Sequence, residues 1–177
     1  MKKIFFLLSF VLLAANASLQ AAETVFLSIR DIQGEVRQKG REGWMEIYGF
    51  SHEINSPRDA ASGLPTGKRQ HMPFRVVIRQ SQATPLLLQA QSRNQVIPEV
   101  KVLFFRPSGT TGLEQQYFTY TLKNARISSF RTWVPNKQDP AATPYLPSSE
   151  LAFTYETITT TYVDGGIEHS DDWITNQ

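Results

Sequence analysis

The chain has 177 residues, with 18 Lys and Arg against 16 Asp and Glu, for a formal charge of +2. That length suits one domain. There is no cysteine, which excludes a disulfide scaffold, a thiolate metal site and a cysteine nucleophile. Hydrophobic residues at 41% and aromatics at 11% exclude a disordered chain.

Met1-Lys2-Lys3 is a short basic start, and Ile4 to Ala15 is an apolar run. Small residues follow at Ala15-Asn16-Ala17 and again at Ala21-Ala22. This order predicts a secretory signal peptide over residues 1–22, leaving a domain over 23–177. A membrane anchor needs about 20 apolar residues, more than this run supplies. Residues 1–22 carry Lys2 and Lys3 and no acid, so the remainder holds 16 charges of each sign. Nucleic-acid binding needs clustered Lys and Arg that release counterions, and no such cluster remains. Lys68-Arg69 is the densest basic point.

Val25, Leu27 and Ile29 alternate with polar neighbours and predict a half-buried strand. Gly34 to Gly43 is polar and glycine-rich, a turn region. Trp44 to His52 alternates again, and the spacing predicts one aromatic face of Trp44, Tyr48 and Phe50. Asn55 to Pro73 reads as a long loop, and such loops are usually functional. Phe74, Val76 and Ile78 mark a third strand.

Thr84 to Asn94 is the one good helix. Thr84 suits its cap, Pro85 its first turn and Asn94 its left-handed end. Its stability is expected from packing Leu87, Leu88 and Ala90. Strands follow at Glu99–Phe105, Tyr117–Leu122, Ala125–Phe130, Leu151–Ile158 and Thr159–Val163. Lys123-Asn124 separates two of them. Pro107 to Gly112 is a turn, and Pro135 to Pro147 is a second long loop. Beyond a turn at Asp164-Gly165-Gly166, residues 167–177 form a polar, acidic tail, so the polar C-terminal portion starts at about residue 164. Many short strands and one helix predict a mainly β protein, a sandwich or barrel.

No chemistry-bearing pattern emerges. His52, His71 and His169 lie in separate segments without metal-ligand spacing. Ser51-His52-Glu53 are sequential strand neighbours that point to opposite faces, and no G-x-S-x-G occurs. No phosphate-cradling glycine loop is present. The expectation is therefore no catalytic, cofactor or metal residues, and no enzyme.

The order of segments resembles the haemolysin-coregulated protein (Hcp) family, the tube proteins of the type VI secretion system. Asp31-Ile32-Gln33-Gly34-Glu35, Gly43-Trp44-Met45-Glu46-Ile47 and Phe50-Ser51-His52 resemble the family's opening. His71-Met72-Pro73-Phe74, Thr84-Pro85-Leu86-Leu87-Leu88, Ile97-Pro98-Glu99-Val100, Tyr117 to Phe130 and Ser149 to Ile158 resemble later motifs in order. The resemblance spans about residues 25–163.

The resemblance implies a compact β-barrel of two sheets with one short α-helix alongside. It also implies hexameric rings that stack into a tube, with secreted effectors in the lumen. The family's long loop after the second strand reaches a neighbouring subunit. Here that role falls on Asn55, Pro57, Arg58, Leu64, Lys68, Arg69 and His71. The signal peptide departs from the family, whose tube proteins are loaded in the cytoplasm. It implies a periplasmic or secreted location. Two other readings stand beside this one. One is an exported monomeric binding module using the Trp44/Tyr48/Phe50 face; the other is a hydrolase acting on the envelope. Neither nucleic acid nor stable membrane insertion is expected.

Overall fold

The computed structural model describes residues 23–142 and 144–173. The expected signal peptide, residues 1–22, lies outside them.

Strands β1 (Thr24–Ile29), β2 (Met45–Ser51), β5 (Phe74–Arg79), β6 (Ile97–Pro107), β7 (Glu114–Trp133) and β8 (Ser148–Thr154) form a closed barrel. They run in the order β7-β6-β1-β2-β5-β8, and β8 pairs back onto β7. All these pairings are antiparallel. Closure removes exposed sheet edges from the barrel itself. A short ribbon, β3 (Ile54–Asn55) with β4 (Gln70–His71), projects between β2 and β5. β9 (Thr157–Tyr162) adds to the first half of β7, and β10 (Ile167–Asp172) adds to β9.

β7 makes closure possible. At 20 residues it spans about 66 Å if fully extended. Its first half pairs with β6 and β9, and its second half, from Arg126, pairs with β8. The sequence suggested two strands here with a break at Lys123-Asn124. Instead the chain passes through Asn124 at φ 49° and continues as a strand. Asn tolerates this left-handed conformation better than most residues, so one residue bends the strand without ending it. The break falls later: the expected strand Leu151–Ile158 is divided at Tyr155-Glu156, between β8 and β9.

Alternation placed the core correctly in β1 and β5. Leu27, Phe74, Val76 and Ile78 are fully buried, joined by Val100, Val102, Leu122, Leu151 and Phe153. Fully burying such a side chain is worth about 1.5–3 kcal/mol. A second cluster lies on the other face of β1 and β6, where Phe26, Leu103 and Phe105 pack with Val36 and Trp44.

Helix α1 (Ala83–Ser92) covers the barrel with Ala83, Leu87 and Ala90, at the spacing of one helical face. Leu88, expected inside, is 49% exposed because it lies about 100° round the helix from Leu87. The start is capped from Ser81, whose hydroxyl accepts the Ala83 N–H. Thr84, expected as the cap, sits inside the first turn and accepts the Ser81 N–H at 3.0 Å. Asn94 ends the helix at φ 49°, as its type suggested.

The acidic tail is also corrected. Residues 167–172 are not an unstructured tail but strand β10, paired along its full length with β9, with 167–170 exposed. Its turn uses Gly165 and Gly166, both at positive φ, which glycine adopts without strain.

Candidate functional site

The segment expected to reach a neighbour is an ordered ribbon rather than an open loop. Ile54 pairs with His71 and Asn55 with Gln70. Further out, Arg58 bridges Pro65, and the Thr66 N–H donates to the Pro57 carbonyl at 3.0 Å. The tip is built on Asp59. Its carboxylate accepts from the Ala61 and Ser62 N–H groups and from the Ser62 hydroxyl. Those bonds, the Ser62 hydroxyl foremost, hold its carboxyl below the usual range. The Arg58 guanidinium donates to the Gly63 carbonyl at 3.1 Å. Leu64 is left 65% exposed at the tip, and Lys68 is also exposed. Asn55 donates to Glu53.

Arg69 and His71 sit at the foot of the ribbon and face the barrel. The structure joins them to residues that sequence spacing kept apart. His71 Nδ1 lies 2.9 Å from the Tyr155 hydroxyl, and His52 Nε2 lies 3.0 Å from the same oxygen. On its other side, His71 Nε2 is 3.3 Å from Asp171 Oδ2, without hydrogen-bond alignment. Arg69 pairs with the other oxygen of Asp171. Trp173 stacks on His71 at 5.6 Å and 30°, and meets Tyr155 edge-on at 5.0 Å.

The Tyr155 hydroxyl bridges the two rings, His71 Nδ1 on one side and His52 Nε2 on the other. Burial, with Asp171 adding, pushes the Tyr155 hydroxyl well above the usual tyrosine range. Burial first and His71 second push His52 below its ordinary value, while Asp171 opposes them. The arrangement is a hydrogen-bonded strut. Glu53, the carboxylate next to His52, is turned away to Asn55.

Sequence reasoning named His71 and Arg69 but missed His52, Tyr155, Asp171 and Trp173 as their partners. These come from three segments, and only topology unites them with Arg69 and His71. No apolar alternation marks Ile167 to Ser170, so the sequence carried no strand signal there.

The expected aromatic face does not form as one surface. β2 carries a bulge: Ile47 pairs with Ile78, but Gly49 pairs with Val77, so Tyr48 is the extra residue. A bulge shifts the alternation by one. Trp44 therefore packs outside on Phe26 at 6.2 Å and Phe105 at 6.5 Å. Phe50 turns the other way, onto Phe74 at 6.0 Å and Phe104 at 5.1 Å. Tyr48 is 52% exposed and donates to Glu46. It borders a surface cavity of about 300 Å³ with Val77, Trp133, Pro135 and Tyr145, where the second long loop lies over the barrel.

Among the described residues, no group of three or more His, Asp or Glu is placed to hold a metal. No helix among them is long and apolar enough to cross a membrane.

A closed six-strand barrel with a projecting ribbon and one external helix defines a class of secretion-system proteins. Residues 26–162 match the family model described as "Type VI secretion system effector, Hcp", and the chain belongs to this family. It is 35% identical over 143 residues to the "Major exported protein" of Pseudomonas aeruginosa, covering 81% of this chain and 83% of that one. A crystal structure of an Hcp protein superposes with a TM-score of 0.75 at 25% identity, covering 86% and 98% of the two chains. Hcp1 from Escherichia coli gives 0.72 at 28% identity, covering 85% and 97%. Hcp3 of Pseudomonas aeruginosa, described as secreted, shares the fold with a TM-score of 0.67 at 24% identity, covering 87% and 100%. The family is structural, a component of the secretion tube.

Proposed function

We propose that this chain is the repeating unit of a hexameric ring, and that rings stack head to tail into a hollow tube able to carry secreted effectors. The observation that carries this is the family match over residues 26–162, which takes in the ribbon and all of the barrel but the first two residues of β1. A head-to-tail contact whose rotation closes gives a ring, and the same kind of contact along the axis gives a stack. The ribbon suits the second contact. It is stiffened by its own hydrogen bonds, and it presents Leu64 between Arg58 and Lys68. Pro57 accepts the Thr66 N–H through its carbonyl, and Asn55 pairs with Gln70.

The location we propose is outside the cytoplasm. Two features support it: the signal-peptide pattern of residues 1–22 and the kinship with a protein named for being exported.

Native mass spectrometry and electron microscopy of the purified chain test the ring. Six-membered particles are expected, and Leu64→Asp should leave rings intact while suppressing stacks. A strict monomer at high protein concentration overturns the ring. N-terminal sequencing of the periplasmic fraction tests export, with a start near residue 23 expected and an intact Met1 overturning it.

A further inference from the structure

The family match ends at Tyr162, the last residue of β9. Besides Tyr155, whose hydroxyl meets His71, the contacts that hold the foot of the ribbon against the barrel come after that point. Asp171 pairs with Arg69 and approaches His71. Trp173 covers the His71 ring and abuts Tyr155. Trp173 is itself anchored, since its N–H donates to the Glu156 carbonyl at 2.8 Å, and Asp172 accepts from the Thr157 hydroxyl at 2.8 Å. Without these residues the ribbon foot would keep only the short ladder between Ile54-Asn55 and Gln70-His71, the Met72 N–H bond to the Glu53 carbonyl and the contact of His71 with the Tyr155 hydroxyl. A two-stranded ribbon of that length is marginal in water.

We propose that β10 and Trp173 form a latch that holds the foot of the 54–71 ribbon and fixes the direction in which its tip points. The inference rests on the reading above that this ribbon contacts a neighbouring copy. The latch closes three contacts on the ribbon foot: an ion pair on Arg69, a carboxylate beside His71 and an indole on the His71 ring. Each comes from a different atom group of two β10-side residues, so the foot is held in position and in rotation. Orientation matters because a contact that must recur along a stack demands the same tip geometry in every copy. Prior ordering also lowers the entropy lost when the contact forms. Asp171 and Trp173 are thus positioning residues that act through Arg69 and His71.

Hydrogen–deuterium exchange read by mass spectrometry tests this on the purified chain, with Asp171→Asn, Trp173→Ala and the rescue variant Trp173→Phe. Amides of residues 54–71 should exchange at least about tenfold faster in the first two variants, with β5 and β8 unchanged. A tenfold change corresponds to about 1.4 kcal/mol of lost local protection. Trp173→Phe, which keeps an aromatic ring on His71, should recover most of the protection. Stacked particles should fall several-fold in the first two variants while rings persist. Unchanged exchange over 54–71 in both variants overturns the latch. Faster exchange with undiminished stacking supports the latch and overturns the ribbon contact, so the two ideas fail separately.

Discussion

The Arg41 guanidinium lies 3.5 Å above the centre of the Phe105 ring. It also faces Phe26 at 4.9 Å and pairs with Glu114 at 2.9 Å. Glu114 in turn accepts from Gln38 and from the Thr24 hydroxyl. These bonds, Gln38 foremost, hold its carboxyl below the ordinary range. One nearly buried cation therefore ties the turn region to β1, β6 and β7. A desolvated cation over an aromatic face contributes on the order of 2 kcal/mol. Arg41→Ala should lower stability by about 2–3 kcal/mol in urea unfolding. Arg41→Lys should recover only part of this, because an ammonium lacks the flat stacking face. Equal stability of all three proteins would show that the stack contributes nothing.

His52 gives the barrel an acid-sensitive point. Its folded-state value lies below the ordinary 6.5, chiefly through burial. The unfolded chain therefore binds the proton more readily than the folded one. Stability from this group is complete above pH 6.5 and declines as pH falls below it. The carboxylates Glu114 and Asp59 titrate lower, from ordinary values of 4.5 and 3.8. The His52 contribution is thus separable between pH 6.5 and 4.5. Thermal melts across that window should show a falling midpoint in the native chain and a shallower fall in His52→Gln. Parallel slopes would exclude His52 as the source.

Neighbouring leucines of α1 should behave oppositely. Leu87 is fully buried and Leu88 is 49% exposed. Leu87→Ala should cost about 2–5 kcal/mol, the range for a buried leucine that leaves a cavity. Leu88→Ala should change stability by no more than about 0.5 kcal/mol. Denaturant titration of the two variants checks the helix phase directly, and similar losses in both would contradict it.

The helix shows what a sequence can and cannot convey. Its existence and its Asn94 end follow from local chemistry, and both are present. Its phase does not, because Leu86, Leu87 and Leu88 are consecutive and only the barrel decides which one is covered. The same distinction runs through the strands. Phe74, Val76 and Ile78 announce their inward face by simple alternation. In β2 the alternation of Trp44, Tyr48 and Phe50 misleads, because one extra residue in the pairing reverses it, and pairing is a property of two strands. The ribbon foot was the least legible part. Arg69 and Asp171 are distant in sequence, and an acidic segment looks like a solvated tail until a partner strand and a buried histidine are placed beside it.

β7 carries a mechanical consequence. It belongs to both halves of the barrel through one unbroken backbone, so the halves cannot part by peeling apart a seam of hydrogen bonds. Either half can open only by dragging a stretch of the other with it. Unfolding should therefore proceed as one cooperative event. Pulled by its ends in a force spectrometer, the domain should give a single rupture rather than two. Load entering one side of such a barrel passes along covalent bonds to the other.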